Sequence, residues 1–260
     1  MLAKFLAHPL TRGLDIDAPE TTRLRRRIIN SKPFLRRIYE EWYAMILEET
    51  GEQNTSGPTL ELGSGAGFFS AVSPGLISSD LFAINGISLV MDAQHFPFKD
   101  GSLNALAMIN VLHHIPDPER LFAEAARCTK KDGKFILIEP WLTTWSRFVY
   151  KRLHHEPVNE TSADWNIQGE GPLTGANTAL PWIIFQRDRA LFESKFKMWR
   201  IAETTPFMPF RYLLSGGISL RSLMFSSSFV FWRGVENLLK PWKTKLGMFA
   251  KIVLVRQEIT

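Results

Sequence analysis

The 260-residue chain has one cysteine, Cys128. That excludes an intramolecular disulfide and any cysteine-cluster metal site, and it fits a reducing cytoplasm. Cys128 closes the helical pattern Leu121-Phe-Ala-Glu-Ala-Ala-Arg-Cys128, which reads as a buried thiol rather than a nucleophile. Long apolar runs are missing too. A membrane span needs roughly 20 apolar residues, and the longest strongly apolar uncharged stretch, 222–232, has 11. The opening Met-Leu-Ala-Lys-Phe-Leu-Ala-His-Pro has neither the apolar length nor the cleavage pattern of a secretory signal. A protein integral to a membrane is therefore not expected. No G-x-S-x-G elbow appears, which removes a serine hydrolase. His154, His155 and Glu156 could offer metal ligands, but adjacent histidines point apart on a helix and no second cluster completes a site. No metal is expected.

What is present is an ordinary globular composition, 45% hydrophobic and 22% charged. The net charge of +5 is uneven. Residues 1–50 carry 9 Lys/Arg against 7 Asp/Glu, residues 51–140 carry 6 against 10, and residues 141–260 carry 16 against 9. A basic C-terminal half could face an anionic substrate or surface. Nucleic acid is not expected, since no binding motif accompanies the charge.

The most informative stretch is Thr59-Leu-Glu-Leu-Gly-Ser-Gly-Ala-Gly-Phe68. Leu60, Glu61 and Leu62 read as a buried strand end. Gly63, Gly65 and Gly67 allow a tight turn and close backbone approach to a ligand. Phe68 to Val72 can begin a helix whose N–H groups face that ligand. A dinucleotide fingerprint needs its third glycine at position 68, where this chain has Phe.

From Pro58 to Glu139, apolar runs alternate with helical segments, as in a doubly wound, mostly parallel sheet. Strands are predicted at 59–62, 76–79, 88–91, 105–111 and 134–139. They end on Glu61, Asp80, Asp92, Asn110 and Glu139. Ligands of such sheets lie outside the carboxyl ends of the strands, where the strand order reverses. A purely structural sheet has no need for five polar strand ends.

The order of these motifs resembles the "type 11" class I S-adenosylmethionine-dependent methyltransferases, over about residues 58–140. The resemblance implies a Rossmann-like seven-stranded sheet and S-adenosyl-L-methionine as cofactor. It implies that Glu61 and Gly63-Ser64-Gly65-Ala66-Gly67 approach the methionine part, and that Asp80, followed by Leu81, takes both ribose hydroxyls. Asp92-Ala93 would meet the adenine amino group and ring, and Asn110 would begin the segment lining the methionine side and the acceptor mouth. Lys131-Asp-Gly-Lys134 matches the turn before strand five. Only 11 residues separate Asp80 from Asp92, so the helix that often joins strands two and three is expected to be missing or reduced to a turn, with Phe82 or Ile84 in its place over the adenine. His114, His113 and Glu139 are the candidates for a catalytic base, His114 lying further into the loop. The alternative is a methyltransferase-like binding or scaffold protein without turnover.

The flanks complete the plan. Residues 1–57 form a helical lead-in, with Leu24, Ile28, Leu35, Ile38, Trp42 and Ile46 as its apolar stripe and Ser31 as cap of a second helix. Residues 58–140 are the cofactor-binding core. Residues 141–260 hold seven of the eight tryptophans, strands six and seven at about 196–204 and 247–256, and a cap with one apolar helix over about 220–239. Its aromatic content suits a hydrophobic or lipid-linked small-molecule acceptor, or peripheral contact with a membrane surface. It suits the core of the cap equally. Oligomeric state is not legible.

Overall fold

The computed structural model describes residues 17–51, 57–153, 156–169, 171 and 175–258. Two helices lead in, α1 (Pro19–Ser31) and α2 (Pro33–Thr50). Then follow β1 (Thr59–Leu62), β2 (Ile77–Asp80), β3 (Leu89–Val90) and β4 (Leu103–Ile109). Helix α3 (Pro118–Cys128) leads into β5 (Thr129–Pro140), and β6 (Trp199–Phe207) and β7 (Phe249–Arg256) close the sheet.

The seven strands lie in the order β3-β2-β1-β4-β5-β7-β6. Strands β1 to β5 are parallel, while β7 runs antiparallel to both β5 and β6. This is the doubly wound arrangement expected. The order reverses between β1 and β4, so the carboxyl ends of those two strands open a crevice. Burial explains the strand pattern: β1 is buried throughout, and β5 from Phe135 to Pro140 is too, as in strands covered on both faces.

Several boundaries differ from the sequence expectation. The glycine loop is followed by a single 3₁₀ turn, Phe69–Ala71, and not by a helix. Pro74 and Gly75 stop it, and Phe69 is fixed by stacking on Tyr43 with ring centroids 4.6 Å apart. Ser31 does not cap α2; it ends α1, where its hydroxyl donates to the Ile28 carbonyl. The apolar helix of the cap is shorter than expected. Helix α8 covers only Phe229–Leu238, because Ser226–Ser228 form a 3₁₀ turn before it; three serines are poor helix formers. No helix joins β2 to β3, as expected from the short spacing.

Residues between β5 and β6 supply α4 (Thr144–Leu153), α5 (Leu180–Trp182, continuing in a π turn) and α6 (Arg189–Lys195). Phe185 and Phe192 there are core, whereas Phe148 of α4 is exposed. Phe122 of α3 meets Phe185, Phe192 and Phe196 with ring centroids 5.1–5.8 Å apart, and Trp199 donates its indole N–H to the Phe122 carbonyl at 3.0 Å. Between β6 and β7 lie α7 (Arg211–Ser215), α8 and α9 (Lys243–Leu246). Cys128 is a buried thiol. Among the described residues, no helix is long and apolar enough to cross a membrane.

Candidate functional site

A cavity of about 870 Å³ opens at the carboxyl ends of β1, β2 and β4. Its floor is the glycine loop. Gly63 has φ +67°, a conformation L side chains rarely adopt, and a Cβ there would sit 2.4 Å from Val111. A Cβ on Gly65 would meet Asp80 Oδ2 at 2.8 Å, and one on Gly67 the Tyr43 hydroxyl at 2.6 Å. The glycines are required by packing behind the loop as much as by a ligand in front of it.

The loop is tied down by two groups of the lead-in helices, Arg26 and Tyr43. Arg26 of α1 donates to the Gly65 carbonyl at 2.8 Å and the Asn85 carbonyl at 2.5 Å, joining the loop to the β2–β3 turn. The Phe68 N–H donates to the Tyr43 hydroxyl at 2.9 Å. The spacing of Tyr39, Tyr43 and Ile46 along α2 could have flagged Tyr43; nothing in the sequence separates Arg26 from its arginine neighbours.

Asp80 lies at the end of β2, facing the cavity. Its Oδ2 accepts from the Gly65 N–H at 2.9 Å and its Oδ1 from the Phe82 N–H at 3.0 Å. A carboxylate has about four lone-pair sites, so one direction on each oxygen is left for two hydroxyl donors. Burial pushes its pKa up, against the backbone donors. Glu61, also lining the cavity, is buried, and desolvation pushes its carboxyl up to about 7. Ser64 is buried beneath it, and Leu81 is half-exposed at the rim. Asp92 and Ala93 reach the cavity too. Asp92 Oδ1 already accepts from the Gln94 N–H at 2.8 Å and the Gln94 amide at 3.1 Å. Its side chain thus fixes its own turn. Phe82 lines the cavity, while Ile84 is buried away from it.

Across the crevice, β4 is followed by Asn110, whose φ of 55° is left-handed, a conformation Asn tolerates better than most residues. The turn beyond it hangs on Glu139. Glu139 is fully buried; its Oε1 accepts the N–H groups of Val111 and Leu112 at 2.8 and 2.9 Å, and its Oε2 lies 2.7 Å from His113 Nδ1. His113 Nε2 lies 3.3 Å from Glu156. Burial opposes the charged imidazolium, but the two carboxylates outweigh it and raise the His113 pKa to about 10. His114 goes the other way. Burial, reinforced by the charge on His113, lowers it to about 3. Its Nδ1 is 3.3 Å from the Gly175 carbonyl and its Nε2 3.7 Å from Glu156. His113, His114 and Glu156 line the cavity, and Glu139 stands behind them.

His154 and His155 lie outside the described residues. Glu156 instead joins His113 and His114, their ligand atoms within 4.8 Å of one another, the one group among the described residues that could bracket a metal ion.

Strand order, glycine loop and acidic strand ends define a Rossmann-like fold with a cavity at the carboxyl ends of its parallel strands. Residues 78–137 match the family described as "Methyltransferase domain". No curated protein matches it. Among solved structures it is similar to the YcgJ protein from Bacillus subtilis, at 14% identity over 85% of this chain and 100% of the other, TM-score 0.49. It is also similar to geranyl diphosphate C-methyltransferase from Streptomyces coelicolor, in complex with Mg²⁺, geranyl diphosphate and S-adenosyl-L-homocysteine. There the identity is 14% over 98% of this chain and 92% of the other, TM-score 0.49. Likenesses this distant say nothing about the acceptor.

Proposed function

We propose that the cavity transfers a methyl group from S-adenosylmethionine to a hydrophobic or lipid- or sugar-linked small molecule. The carrying observation is one continuous cavity with cofactor-type groups on one wall, Gly63–Gly67 and Asp80, and an acid–base cluster with apolar neighbours on the other. The donor set fits the cofactor. Asp80 has lone pairs for the two ribose hydroxyls, the glycine loop admits close approach of the methionine part, and Ala93 with Phe82 borders the place for the adenine. Asp92 Oδ1 is occupied by Gln94, while Oδ2, met by the Gln94 amide at 3.3 Å, keeps a lone pair for the adenine amino group.

When bound, the cofactor supplies an electrophilic methyl group on a sulfonium. The protein's part is alignment and exclusion of water, which govern an in-line displacement. Glu139 and His113 act as positioning residues: the first fixes the turn after β4, the second holds Glu156 in place. Neutral His114 and Glu156 are the groups facing an acceptor; with His114 held near 3, Glu156 is the one of the two that would take the proton of an oxygen acceptor. Met248, Leu213 and Ile218 give the acceptor end its apolar character.

The test is incubation with methyl-labelled S-adenosylmethionine and fractionated cell extract. Label is expected in the solvent-extractable fraction and lost in Asp80→Ala. Tight binding of S-adenosylhomocysteine with no transfer to any fraction would instead favour a binding or scaffold protein.

A further inference from the structure

The segment between Leu223 and Leu246 carries a surface for which the site above has no use. Exposed large hydrophobics cluster there: Phe225 is 85% exposed, Leu238 77%, Phe231 65% and Val230 59%, with Leu223 and Trp242 about half-exposed. Helix α8 is apolar on two sides. Its inner side, Phe229, Trp232 and Glu236, is fixed. Phe229 packs edge-on against Phe34 of α2, ring centroids 5.1 Å apart. Buried Glu236 accepts the N–H groups of Phe210 and Arg211 at 2.9 and 2.8 Å and pairs with the Arg211 guanidinium at 2.5 Å. The outer side, Phe231 and Leu238 seven residues apart, faces solvent. A helix anchored so firmly within cannot rotate to hide its outer side. Water-facing helix sides are ordinarily polar, and a contiguous apolar patch marks an interaction site.

Charge identifies what covers it. Residues 220–246 contain one acidic residue, Glu236, and it is buried in that ion pair. Every exposed charge in the segment is positive: Arg221, Arg233, Lys240, Lys243 and Lys245. Trp242 stands among three of the lysines. Aromatic and aliphatic side chains that enter an apolar phase, ringed by cations, match the boundary of a bilayer with anionic headgroups. They match a second copy of this chain less well, because the ring of cations would meet itself.

We propose that residues 223–246 dock the protein on an anionic lipid surface, with Phe225, Phe231, Leu238 and Trp242 inserted and the lysines at the headgroups. The docked face is next to the cavity wall: the Leu223 N–H donates to the Leu214 carbonyl at 2.9 Å, and Leu213, Ile218 and Leu220 line the cavity. Lys32 clamps that wall, its ammonium donating to the carbonyls of Gly217, at 2.8 Å, and Leu220. Docking thereby brings the acceptor end of the cavity to the bilayer, where an apolar acceptor resides. This last step rests on the acceptor proposed above; the docking does not.

Co-sedimentation with vesicles of phosphatidylcholine and phosphatidylglycerol, without cofactor, tests it. The protein is expected to pellet at low salt, far less with phosphatidylcholine alone or at high salt. Combining Phe225→Ser, Phe231→Ser and Leu238→Ser should weaken binding roughly tenfold or more, and so should Lys240→Glu with Lys243→Glu and Lys245→Glu. Both variants should keep the wild-type melting temperature and S-adenosylhomocysteine affinity, since the altered side chains are exposed and outside the cavity. Failure to pellet with anionic vesicles, pelleting unaffected by either variant, or a dimer in sedimentation velocity that the serine variant abolishes would each overturn the proposal. Loss of cofactor binding by the wild type would overturn only the methyl-transfer reading.

Discussion

The glycine loop and the cap segment 223–246 are both surfaces built for something other than themselves, and they are built in opposite ways. The loop is held by fixed hydrogen bonds: Arg26 on Gly65, Tyr43 on Phe68, Asp80 on Gly65 and Phe82. In the cap the inner side of α8 is equally fixed, but the outer side offers apolar groups with nothing to meet. A small rigid ligand is bound by preorganised dipoles, whereas a fluid surface is bound by area and charge. On the readings proposed above, the loop half determines chemistry and the cap half determines place.

The sharpest way to break the contrast is at the centre of the rigid half. His113→Ala leaves the buried Glu139 carboxylate without its cation, with the half-buried Glu156 close by, and chemical denaturation should show a loss of roughly 3–5 kcal/mol. Its titration adds a signature. The folded pKa of about 10 lies above the ordinary 6.5, so the stabilisation is complete below about pH 6.5 and disappears as pH rises through about 10. Melting curves of wild type and His113→Gln should converge over that window; a constant gap would mean His113 is neutral in the folded protein.

Next comes Asp80→Ala, which removes two hydroxyl contacts of about 1–1.5 kcal/mol each. Calorimetry should show S-adenosylhomocysteine affinity falling at least tenfold, and an unchanged affinity in a folded variant would remove the ribose assignment. Gly67→Ala follows. The added methyl meets the Tyr43 hydroxyl at 2.6 Å and the Ser64 carbonyl at 3.1 Å, an overpacking expected to cost about 1–3 kcal/mol in thermal denaturation. The smallest effect is opposite in sign. Gly234, within α8, has no atom within 4 Å of an added Cβ, so Gly234→Ala should stabilise by about 0.5–1 kcal/mol. Destabilisation there would mean that the outer side of α8 is covered within the molecule.

Legibility divided along the same line. Features set by local backbone chemistry could be read: the glycine turn, the acidic strand ends Glu61, Asp80 and Asp92, and the missing helix after Asp80. Features set by contacts distant in sequence could not. Arg26 looks like its neighbours until the Gly65 carbonyl, 39 residues on, is placed beside it. Glu139 read as a strand-end candidate for catalysis because its two oxygens are claimed only by residues 26 to 28 positions earlier. The helix predicted from Phe68 to Val72 failed because stacking of Phe69 on Tyr43, with Pro74 close behind, outweighed local propensity. The cap tryptophans were ambiguous for the same reason. Trp165 and Trp199 are core, whereas Trp242 is exposed, and composition treats them alike.

The central claim is that the cavity is a site for S-adenosylmethionine. Calorimetric titration of the wild-type protein with S-adenosylhomocysteine and, separately, with NAD tests it most directly. The account predicts one-to-one binding of S-adenosylhomocysteine and none of NAD. Binding of NAD alone would contradict it.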